Sequence, residues 1–67
     1  MLLTPQERLA EKTTAKNARD SIARSLKLID EELSDSRADF DEVAMVAEQI
    51  ITAAKRLSRA ADKLVSY

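Results

Sequence analysis

A chain of 67 residues with no cysteine, histidine or glycine has no disulfide staple and no zinc site, and room for one domain. A lone domain of this size buries only about 60% of its unfolded surface, which leaves oligomerisation as the available source of extra stability. The formal net charge of −1 hides a pattern: residues 1–29 carry +3, residues 30–48 carry −7 and residues 49–67 carry +3.

The first element announces itself in "TPQE". Thr4 suits an N-cap, Pro5 the first helical position, and Glu7 completes a capping box three residues after the cap. Apolar residues then fall at Ala15, Ala18, Ile22, Leu26, Ile29 and Leu33, the period of an amphipathic helix over about 5–33. Leu2 and Leu3, ahead of the cap, are expected to tuck against Val65 or to serve a partner. With only two leucines before a polar run, the start does not read as a signal peptide.

Next comes "EELSDSRADFDE", rich in residues that compete for backbone hydrogen bonds and so interrupt helices. Ser36 with Asp39, and Asp39 with Glu42, offer two overlapping helix starts. Acids suit the N-terminus of a following helix and sit badly at the C-terminus of the preceding one. A turn is therefore predicted at about 34–37, between two arms of matched length.

The second helix is predicted over about 38–66. Its seam is Phe40, Val43, Ala47, Ile50, Ala54, Leu57, Ala61 and Leu64, at alternating spacings of three and four. Ala47, Ala54 and Ala61 form its small position, opposite large Val43, Ile50, Leu57 and Leu64. More apolar residues flank it, Ala44, Ile51 and Val65 on one side and Val46, Ala53, Ala60 and Tyr67 on the other. An arc this wide needs more than one neighbour. The predicted fold is all-α: an antiparallel two-helix hairpin that dimerises into an antiparallel four-helix bundle. The expected dimer core is Ile22, Leu26, Ile29, Phe40, Val43, Ala47, Ile50, Ala54, Leu57, Ala61 and Leu64. An acidic turn and a basic open end favour antiparallel pairing of the two copies.

This layout resembles the Rop family of plasmid-copy-number regulators, through the Ala47–Ala54–Ala61 repeat, its large partners and the "DSRADFDE" turn. The resemblance implies a helical hairpin dimerising antiparallel, with small residues layered over large ones. Rop proteins also read RNA through an exposed aromatic and basic residues on the first helix. Here the middle of that helix offers Asn17, Ser21 and Arg24, and no aromatic. Secreted WXG-type proteins share the shape, but this chain has neither tryptophan nor glycine.

Without His or Cys the usual nucleophiles and bases are missing, no glycine-rich loop is available for phosphate, and the acidic turn lacks the spacing of a calcium loop. No enzyme, cofactor or metal is expected. The longest apolar run, "VAMVA", is too short to span a membrane, so a cytoplasmic protein is expected. A basic end is formed by Lys12, Lys16, Arg19, Arg56, Arg59 and Lys63, but with few aromatics it is a weak nucleic-acid surface. A lane of small neutral residues, Ala10, Thr14, Asn17 and Ser21, continues to Leu28; with Met45 it is the candidate face for another protein, and Leu9 adds a further exposed anchor. The function expected is a small dimeric regulator or adaptor that inhibits a transcription regulator or other host protein, in the manner of phage or plasmid antirepressors and anti-activators. A Rop-like RNA-binding bundle and a structural assembly subunit are the alternatives. The regulatory class rests on size and shape alone.

Overall fold

A computed structural model of the chain describes residues 3–65. It contains two helices that pack against each other as a hairpin, α1 (Pro5–Ser34) and α2 (Phe40–Val65). The described part of the chain is a rod of 51 × 13 × 12 Å. Its radius of gyration is 15.4 Å, against about 11 Å for a compact chain of this length. The packing of Leu2, the place of Tyr67 and the expected end of the second helix at 66 lie outside the described residues.

The start of α1 is closed by a reciprocal pair. The Glu7 N–H donates to Thr4 Oγ1 (3.1 Å), and the Thr4 N–H donates to Glu7 Oε1 (3.0 Å). The Thr4 N–H first, and the Thr4 side chain second, hold the Glu7 carboxyl below its ordinary pKa. Leu3, just before the cap, is half-buried, and Val65 is exposed.

The turn is made without any positive φ among the described residues. At the end of α1, Asp35 adopts an extended conformation (φ −85°, ψ 132°), so no left-handed residue is required. The Ser34 hydroxyl bonds back to the Asp30 carbonyl at 2.8 Å, and the Asp35 N–H donates to the Glu32 carbonyl at 3.1 Å. Of the two candidate starts, Asp39 is the one used. Its Oδ1 accepts the N–H groups of Asp41 (3.0 Å) and Glu42 (3.3 Å), and its carbonyl accepts the Val43 N–H at 3.1 Å. Helix α2 accordingly begins at Phe40, two residues later than expected.

Each helix contributes one column of seven residues to the seam between them. From α1 come Glu11, Ala15, Ala18, Ile22, Ser25, Ile29 and Glu32, and from α2 come Val43, Val46, Ile50, Ala53, Leu57, Ala60 and Leu64. All are buried or half-buried, and both columns alternate steps of three and four. The buried position of the α2 seam is therefore Val46–Ala53–Ala60, one residue earlier than the expected Ala47–Ala54–Ala61. In α1, Leu26 and Leu33 fall off the seam, and Ser25 and Glu32 stand in it. The reason is the period. Ile22 and Ile29 belong to both stripes, but between and after them the strict alternation of three and four takes Ser25 and Glu32, one residue before Leu26 and Leu33.

Small residues bring the helices close. The buried side chains are Ala18, Ser25, Val46, Ala53 and Ala60, with Ala60 only 1% exposed. No large side chain is fully enclosed among the described residues. Polar seam residues close both ends. At the open end Glu11 meets Lys63 (Nζ–Oε1 3.4 Å), and at the turn Glu32 Oε1 accepts the Asp39 N–H at 2.6 Å.

Candidate interaction faces

Which residues share a face of the hairpin follows from the seam. In two antiparallel right-handed helices, the residue just before a seam position points to one side of the pair in both helices. The residue just after points to the other side.

The preceding residues form a polar face. Thr14, Asn17, Ser21 and Arg24 line a groove of about 400 Å³ with Ala53 and Arg56 of α2. Glu48, Gln49 and Thr52 border an adjoining depression that also contains Ser21. Towards the turn, Leu28 lines a smaller cavity with Glu42 and Val46, and exposed Met45 lies beside it by helical spacing. Every residue of the sequence-derived partner lane precedes a seam residue: Ala10, Thr14, Asn17, Ser21, Leu28 and Met45. The hairpin brings this set onto one face. Leu9 is exposed on the back of α1, away from it.

The following residues form an apolar face. On α2 these and their neighbours are Phe40, Ala44, Ala47, Ile51, Ala54, Ser58, Ala61 and Val65, every one uncharged. Their steps alternate four and three, so α2 carries a second heptad column beside the one that packs on α1. Apart from half-buried Ala47, the hairpin leaves it exposed. Phe40 is 68% exposed, Ile51 46% and Val65 67%, and on α1 Leu26 and Leu33 add to the same face at 50% and 56%. Here lie the expected core residues Phe40, Leu26, Ala47, Ala54 and Ala61, whereas Ile22, Ile29, Val43, Ile50, Leu57 and Leu64 line the seam.

Comparison of the chain with protein-family models, with curated proteins and with solved structures found no match. The two faces therefore carry the functional reading by themselves.

The basic residues do not form one patch. Arg56, Arg59 and Lys63 precede seam residues and lie toward the polar face, with Lys63 engaged by Glu11. Lys12, Lys16 and Arg19 follow seam residues and lie toward the apolar face, and Arg19 also contacts Asp20 at 3.2 Å. Glu32, Asp35 and Asp39 accept backbone N–H groups at the turn, and no group of three potential metal ligands comes together among the described residues. No described helix is long and apolar enough to cross a membrane.

Sequence reasoning missed Ser25, Glu11 and Glu32 as seam residues. The signal was present: they share one column with Ala18 at steps of seven, a small centre framed by two glutamates.

Proposed function

We propose that this chain is a non-catalytic homodimeric regulator. Two hairpins pair into an antiparallel four-helix bundle, and the outward polar face binds another protein. The observation that carries the reading is the second, uncovered heptad column on α2, an apolar arc that one neighbouring helix leaves half exposed. The surface area agrees with it. The chain exposes 5405 Å², roughly 1,150 Å² more than the ~4,250 Å² typical of a compact monomer of its 7.5 kDa mass. A standard interface buries about 800 Å² per partner.

On the polar face, small neutral residues allow close approach by a partner helix, and Leu28 with Met45 supplies apolar anchors at its acidic end. By size and shape the action suits a phage- or plasmid-type antirepressor or anti-activator that blocks a transcription regulator. Absence of His and Cys from the sequence supports a role in binding over catalysis. The division of the basic residues between two faces weighs against a single RNA surface.

The test is retention of a protein partner by the tagged chain. Leu28→Asp should abolish that retention and leave the dimer mass unchanged. Salt-dependent RNA retention, lost in Lys16→Glu with Arg19→Glu and unaffected by Leu28→Asp, would replace this reading with RNA binding.

A further inference from the structure

We infer that the second copy seats on the Phe40–Val65 column in a defined antiparallel register, with the two-fold axis between Ile51 and Ala54. The inference rests on the antiparallel dimeric reading above and adds the register to it.

Three observations carry it. First, the column is symmetric: steps of four and three from Phe40 to Val65 read the same from either end. An antiparallel copy therefore layers Phe40 on Val65, Ala44 on Ala61, Ala47 on Ser58, and Ile51 on Ala54. Each inner layer contains at least one small residue, so the two α2 helices can approach to about 8 Å.

Second, charge selects the antiparallel direction. Divided at that axis, the turn half (residues 21–52) carries −5 and the open half (residues 1–20 and 53–67) carries +4. A parallel pair would stack like upon like, and an antiparallel one sets each acidic turn beside a basic open end.

Third, the same axis aligns the α1 edges. Ser21 lies level with Thr52 and Ala53, as they border one depression, so the axis passes near Ser21. Lys12 and Asp30 stand nine residues to either side of it, and both follow seam residues on the apolar-face edge. The register brings Asp30 of each copy to Lys12 of the other. In the same register Lys16 lies opposite Leu26 and Arg19 opposite Ala23, so Lys12 with Asp30 is the one ion pair along this edge and it forms twice by symmetry.

The chain lacks cysteine, so Ser36→Cys at the exposed turn accepts a single nitroxide label. Pulsed electron–electron dipolar spectroscopy should then give an inter-label distance of roughly 50 Å, since the turn lies about 16 residues from the axis at 1.5 Å per residue. Ile51→Glu should abolish the dipolar signal, and Thr52→Glu, on the polar face, should preserve it. A distance under about 25 Å would overturn the antiparallel register and leave the dimer standing. A 50 Å distance that survives Ile51→Glu would overturn the face. A helical chain with no dipolar signal at any concentration would overturn both this inference and the dimeric reading. The unsubstituted face decides direction by itself, whether or not Ile51→Glu folds.

Discussion

At the scale of single residues, capping does what glycine does in other hairpins. Thr4 and Glu7 satisfy each other's N–H groups at the start of α1, and Asp39 takes two N–H groups at the start of α2. The Glu7 carboxyl has a folded pKa below its unfolded value because its ionised form accepts the Thr4 N–H. Its contribution to stability is therefore complete above the ordinary, unfolded glutamate pKa and is lost as pH falls through the lower folded value. An NMR titration of side-chain carboxyls should place the Glu7 midpoint below the ordinary glutamate value. Thr4→Ala, which removes the hydroxyl and keeps the backbone N–H, should move it part of the way back. A Glu7 midpoint at the ordinary value would contradict the capping box.

At the scale of elements, α2 carries two apolar columns one residue apart, and only one of them faces α1. Ala60 is almost fully enclosed by the seam, so Ala60→Leu should force the helices apart at a cost of about 1–3 kcal/mol. The melting temperature should fall by roughly 5–15 °C. Equal loss from a seam-neutral substitution such as Thr52→Leu would contradict the seam. Helix ends and the turn were legible in the sequence because caps are local: Thr4, Pro5, Glu7 and Asp39 act within three residues of themselves. The choice between Ala53–Ala60 and Ala54–Ala61 was not. Both columns are small, apolar and spaced by seven, and a rotation of one residue exchanges them. What decides it lies on the other helix, where Ala18 and Ser25 offer the small surface that the chosen column meets. The partner lane fared differently. Its α1 members were legible as one lane at helical spacing, and what the sequence left open was the other wall of the groove, which hairpin closure supplies with Ala53 and Arg56.

At the scale of the whole molecule, the hairpin is a polarised rod whose two faces differ in kind. One is a shallow polar groove with apolar anchors at Leu28 and Met45, open to a partner. The other is an unbroken uncharged column that water would have to cover in a monomer, at a cost of about 25 cal/mol per Å² of apolar surface. In the dimer we propose, a second copy covers it. Sedimentation equilibrium over a wide concentration range tests this most directly. The expected mass is twice the chain's 7.5 kDa, falling toward a single chain only on dilution. A mass of 7.5 kDa at every concentration, with helical content intact, would contradict it.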